Sequence, residues 1–109
     1  MSRHTIKLSS TTASGSALVV IGYQNGINGP HYFCYLFDAT EPLDKPLWNS
    51  LFSLDHMCAQ QESEFDAVLS EWGVILPAFI KQALIEDWAK NQLNTEYCWH
   101  QDGTFDQVR

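Results

Sequence analysis

Two tripeptides carry the residue types best suited to chemistry. His56-Met57-Cys58 and Cys98-Trp99-His100 each pair an imidazole with a thiol, and the four side chains together would be an acceptable zinc set. Their spacing works against that use, because structural zinc sites separate paired ligands by two or more residues. The ordinary reading of the same residues, a buried thiol, a core Trp and surface His, stands ahead of it. Nucleophilic catalysis by Cys34, Cys58 or Cys98 would need a His base close by. Cys34 lies in the densest apolar run, where a thiol stays protonated and inert. No flanking signature marks Cys58 or Cys98 as a nucleophile.

Carboxylate pairs are the other source of acid–base chemistry. Glu86-Asp87 and the series Glu62, Glu64 and Asp66 fall on helical stretches whose apolar stripe points elsewhere, so they read as solvated faces. Gly22, Gly26 and Gly29 match neither the dinucleotide nor the P-loop pattern. No cofactor is implied, no motif fixes a reaction, and a non-enzymatic protein is the expectation.

The elements that would position these residues follow from periodicity. Thr5 to Ser9 alternates polar and apolar residues and reads as an edge strand, with the small polar run Ser10 to Ser16 turning the chain. Ala17 to Tyr23 and His31 to Asp38 form a central hairpin. Its connection contains Asn25-Gly26 and Asn28-Gly29, each suited to a tight turn, and Ile27 between them is expected to fold back onto the sheet. On the third strand Tyr32, Cys34 and Leu36 point one way and Phe33, Tyr35 and Phe37 the other. Neither face is polar, so both need cover.

Ala39 to Pro46, with Glu41, Pro42 and Asp44, reads as a loop, and Leu47 to Phe52 as a short fourth strand. From Glu62 the period becomes helical. Phe65, Val68, Leu69 and Trp72 form one stripe, with Ser63 or a residue just before it at the N-cap and Gly73 at the end. Pro77 opens a second helix in which Ile80, Leu84 and Trp88 share a face, running to Asn91 or Leu93. Thr95 to Arg109 is left unassigned. Its Tyr97, Trp99 and Phe105 are enough to pack it back onto the domain.

This is a single α+β domain over residues 1–109: an antiparallel β-meander of three or four strands followed by two packed α-helices. Two helices cover one sheet face. The second, carrying Phe33, Tyr35 and Phe37, is expected to be the interface of a homodimer.

Composition sets the outer limits. With 109 residues, 45% of them hydrophobic, and four Trp, six Phe and four Tyr, the chain is globular. Thirteen acidic against six basic residues give a net charge of −7, which disfavours direct nucleic-acid binding and anionic membranes. Three Cys, an odd number, with no export signal point to a cytoplasmic protein with reduced thiols. From Pro46 to Ile80 there are five acidic residues, Asp55, Glu62, Glu64, Asp66 and Glu71, and no Lys or Arg. Such a surface would steer a basic partner. It leaves open an alternative in which the protein is an acidic inhibitor occupying a partner's nucleic-acid site.

The run Leu18 to Tyr23, the turn, and Phe33 to Asp38, with a helical second half broken at Gly73 and Pro77, resembles a loose group of small uncharacterised bacterial proteins. They share an apolar strand ending in Gly-Tyr and an aromatic strand ending in Asp. The likeness spans Ala17 to Asp87 and implies a fold without an activity. The leading expectation is therefore a protein-interaction or accessory module, with the acidic inhibitor second and a small zinc protein or enzyme third.

Overall fold

A computed structural model describes residues 1–12, 14–27, 29–40 and 45–109. The loop expected around Glu41, Pro42 and Asp44, and the Asn28 part of the second turn signal, lie outside the described residues. Among the described residues six strands and two helices form an α+β fold. The strands are β1 (Ser2–Ser9), β2 (Ser16–Gly26), β3 (Gly29–Asp38), β4 (Trp48–Asn49), β5 (Thr95–Trp99) and β6 (Phe105–Gln107). The helices are α1 (Asp66–Glu71) and α2 (Ala78–Lys90), and a 3₁₀ turn, Ser50–Phe52, follows β4.

The sheet order is β4-β3-β2-β1-β5-β6. Every pairing is antiparallel except β1 with β5, which run parallel with Ser2 opposite Thr95 and Ile6 opposite Trp99. The sheet is thus mixed and larger than the antiparallel meander of three or four strands expected from local patterns. The tail supplies the difference: Thr95, Tyr97 and Trp99 alternate along a strand that docks beside β1. That contact also makes β1 an interior strand, where alternation alone suggested an edge.

Alternation on β3 is as the sequence indicates. Tyr32, Cys34 and Leu36 join the main core beneath the helices, with Ile6, Val19, Phe65, Leu69, Ile80 and Leu84. Phe33 and Phe37 face the other way and cluster with Val20, flanked by Met1, Leu18 and Tyr35. This face closes largely within one chain: Phe33 is 1% and Phe37 7% exposed. The cause is Gly22, which pairs with Phe33 across the hairpin. A Cβ at Gly22 would sit 2.7 Å from Phe33 Cζ and 2.0 Å from the Ser2 carbonyl oxygen, so only glycine lets the ring lie down there.

Local details differ from the sequence pattern where backbone bonding overrides it. Residues 62–65 form turns, and α1 begins only at Asp66 with no side-chain cap at Phe65, so Ser63 does not cap it. Leu47 to Phe52 yields two strand residues and then the 3₁₀ turn, whose Asn49 side chain accepts from the Leu51 N–H at 2.9 Å. Ile27 projects fully into solvent instead of folding back, because Gly26 pairs with Gly29 and leaves it at the tip. Pro77 precedes α2 in an extended conformation, and Asn91 ends the helix in the left-handed region at φ 48°. Among the described residues no helix is long and apolar enough to cross a membrane.

The Gly22 environment gives a direct test. Gly22→Ala is expected to destabilise the fold by about 1–3 kcal/mol or more in chemical denaturation, since one obstructing atom is backbone. Gly26→Ala, which meets only the end of the Gln24 side chain at 3.7 Å, is expected to stay within about 0.5 kcal/mol of wild type.

Candidate functional site

The site joins residues from distant parts of the chain: His4 from β1, Asp87 from α2 and Trp99 from β5. His4 belongs to the apolar row of β1, with Ile6 and Leu8, and points under the helices. Asp87 lies on α2 seven residues after Ile80 and three after Leu84, so helical spacing places it on the same buried side. The two meet with His4 Nε2 2.6 Å from Asp87 Oδ2, and both residues are buried. From β5, Trp99 Nε1–H donates to His4 Nδ1 at 2.9 Å. An indole N–H can only donate, so Nδ1 is an acceptor and the ring proton sits on Nε2, donated to the carboxylate. Tyr97 stacks parallel on the imidazole at 5.1 Å.

Above this network opens a cleft of about 160 Å³. Its helical wall is Ala83, Glu86, Asp87 and Lys90, continued by Gln92. Tyr97, Trp99 and Phe105 form the other wall, and His4 lies at the base. The rings brace one another: Trp99 stacks on Phe79 at 5.2 Å, Phe105 lies 4.8 Å from Trp99, and Phe105 meets Tyr97 edge-on at 5.3 Å. Past the cleft the chain turns through Asp102, which accepts from the Thr104 hydroxyl and N–H at 2.7 and 2.9 Å. Those bonds hold its carboxyl below the usual carboxylate value. In chemical terms the site favours holding over proton transfer. Both imidazole nitrogens are spent within the protein, so His4 has no lone pair left with which to deprotonate a bound molecule.

The sequence treated Glu86-Asp87 as one solvated pair, and the structure divides them: Glu86 is exposed and Asp87 is buried on His4. The other acidic residues are partly spent as well. Glu64 Oε2 accepts the Gln60 and Gln61 N–H groups at 2.6 and 2.7 Å, and Asp66 pairs with Lys81 at 2.6 Å.

The two His/Cys tripeptides do not come together. His56 accepts or donates with Ser53 at 2.8 Å and packs on Trp48 beside β4, while Cys58 precedes Ala59, which bridges to Tyr32 of β3. Cys98 is in β5, and His100 follows it and contacts Asp106 at 3.1 Å. Three or four strand spacings separate the pairs, roughly 14–19 Å. Among the described residues no group of three or more His, Cys, Asp or Glu could hold a metal ion. Cys58 and Cys98 are exposed, and burial pushes the Cys34 thiol far up.

Two further groups titrate away from their ordinary values. Tyr32 is pushed up to about 12, first by burial and then by the nearby Glu62 and Asp87 charges. Its hydroxyl donates to the Leu84 carbonyl at 3.0 Å, a structural bond. Asp38 is held down at about 2 because Ser14 and Thr40 donate to its carboxylate. Asp38 thereby joins the end of β3 to the turn before β2.

Searches of protein-family models, curated proteins and solved structures returned no match to this chain.

The network makes two expectations measurable by denaturation. Asp87→Ala leaves the buried His4 Nε2–H unpaired and is expected to cost about 1–3 kcal/mol, whereas Asp87→Asn keeps an acceptor and is expected to cost less; equal losses would show that the bond is not what matters. For Asp38 the folded value lies below the unfolded one, so its contribution is complete above the ordinary carboxylate value of 3.8 and is lost as pH falls toward about 2. The stability difference between wild type and Asp38→Asn is expected to close across that window. A difference independent of pH would contradict it.

Proposed function

We propose that this chain is a non-enzymatic protein-interaction module that works as a homodimer, with the ridge from Leu47 to Met57 as its docking surface. The observation that carries this reading is exposure: Phe52 is 88% and Leu54 91% exposed, with Leu47, Leu51 and Met57 at 37–43%. Five large exposed apolar side chains within eleven residues are a concentration of the kind that marks an interaction surface. Phe33, Tyr35 and Phe37 offer much less, because Gly22 and the neighbouring side chains already bury Phe33 and Phe37 within one chain. Tyr35 alone of the three is partly exposed. The interface read from sequence on that face therefore shifts to the β4 edge.

A second copy is favoured over a basic partner by the local charge. The ridge itself, residues 47–57, carries one charged side chain, Asp55, with Lys45 two residues before it, so it is close to neutral although the whole chain carries −7. An isologous contact presents the same apolar patch twice and meets little repulsion there. Four of the five acidic residues suited to steering a basic partner, Glu62, Glu64, Asp66 and Glu71, lie after the ridge, and Glu64 and Asp66 among them are occupied internally.

Native mass spectrometry and sedimentation velocity test this. Wild type is expected to be a dimer at micromolar concentration. Phe52→Ser/Leu54→Ser is expected to weaken association at least tenfold, each buried side chain being worth about 1.5–3 kcal/mol, with an unchanged circular dichroism spectrum because neither residue is buried in the monomer. A monomeric wild type, or a variant as dimeric as wild type, overturns the proposal.

A further inference from the structure

We infer that the cleft beside the last turn of α2 binds a small organic cation bearing an alkylammonium group. The cleft lies at the β5–β6 end of the sheet, away from the ridge at β4, so this site is independent of self-association.

Four features converge on that ligand class. The first is size: about 160 Å³ is close to the roughly 150 Å³ of an engineered cavity that admits benzene, so the occupant is a compact group. The second is the wall of rings. Phe105 is 49% exposed and is held against Trp99 and Tyr97, offering a fixed aromatic surface to a cation.

The third is charge. Glu86 is on the rim and forms no ion pair among the described residues, and Asp87 uses Oδ2 for His4. Two carboxylates face a single ammonium, Lys90, which leaves one negative charge for a monocation to neutralise. His4 does not offset this, since it accepts from Trp99 and donates to Asp87 as a neutral ring. The fourth is the helix. Asp87 and Lys90 belong to the C-terminal end of α2 and Gln92 follows it, where the aligned peptide dipoles are negative and favour a cation.

The anchoring of the site explains why it is preformed. Asn91 closes α2 in the left-handed conformation, Gln92 N–H returns to the Asp87 carbonyl at 2.8 Å, and the Asn91 side chain accepts from the Tyr23 hydroxyl at 2.7 Å. The opposite wall is pinned by Trp99 on His4 and Phe79. A ligand entering the cleft meets groups already in place and orders little on binding.

The test titrates ¹⁵N-labelled full-length protein with benzylammonium chloride, with benzyl alcohol and benzoate as neutral and anionic counterparts of similar shape. The readout is the Trp99 indole N–H resonance, identified by its loss in Trp99→Phe. Benzylammonium is expected to shift it saturably in the millimolar range, with benzyl alcohol at least about tenfold weaker and benzoate without effect. Glu86→Gln, at an exposed residue with no structural bond, is expected to weaken benzylammonium by about three- to tenfold while leaving the melting temperature alone. Benzyl alcohol binding as tightly as benzylammonium, an unchanged Glu86→Gln, or no saturable shift overturns the inference. Acetyl-Gly-Lys-Gly-amide separates the sources of the group. Saturation by the peptide assigns the site to a lysine side chain of a partner protein, and saturation by benzylammonium alone assigns it to a free amine.

Discussion

The hydrogen-bonded line from Trp99 through His4 to Asp87 joins three elements that local sequence forces would leave apart. β1 begins the chain, α2 lies in its second half and β5 near its end, and the parallel pairing of β1 with β5 has no short connection to enforce it. A buried imidazole must have partners for both nitrogens, and a buried carboxylate must have a donor. His4 and Asp87 satisfy each other only when α2 crosses the sheet at this height, and Trp99 completes the set only when β5 pairs in this register. Polar satisfaction thus fixes a geometry that apolar packing alone would tolerate with some slip.

The two sheet faces solve the problem of cover differently. One is roofed by α1, α2 and the connecting turns, with Phe65, Leu69, Ile80 and Leu84 filling the space. The other closes on itself where Gly22 lets the Phe33 ring lie across β2 beside Val20. Because that face needs little from outside, apolar surface is left over elsewhere, on the ridge after β4. The sheet consequently offers different surfaces at its two ends, apolar at β4 and aromatic with charges at β5 and β6.

Much of this was legible in sequence where forces act between near neighbours. The β2–β3 hairpin follows from two dense apolar and aromatic runs flanking a Gly- and Asn-rich connection, although Asn25 and Gly26 themselves pair with Pro30 and Gly29 in the ladder, and the buried stripes of both helices follow from Phe65 and Leu69, then Ile80 and Leu84. Pro77 and Asn91 bracket α2 in keeping with their backbone preferences. What escaped is mostly non-local. The β1–β5 pairing was hidden because the two strands lie more than ninety residues apart, and without it β1 looked like an edge; the β5–β6 hairpin is local, and its signal is the Asp102-Gly103 pair between the strands. Asp87 escaped because adjacency to Glu86 suggested a shared solvated face, although its spacing from Ile80 and Leu84 places it with the core. His4 carried a comparable signal, sharing the alternation of Ile6 and Leu8 on β1. The burial of Phe33 required knowing its cross-strand partner, since the aromatic pattern alone says only that the ring seeks cover.

The joint at His4 is therefore the central claim, and its proton is the most direct witness. Two-dimensional long-range ¹H–¹⁵N NMR of the imidazole distinguishes the nitrogen that carries hydrogen from the one that presents a lone pair. At neutral pH the structure requires the proton on Nε2, facing Asp87, and an unprotonated Nδ1 accepting from Trp99. A His4 ring protonated at Nδ1, or one exchanging freely between tautomers, would mean that the three elements are not joined in this way.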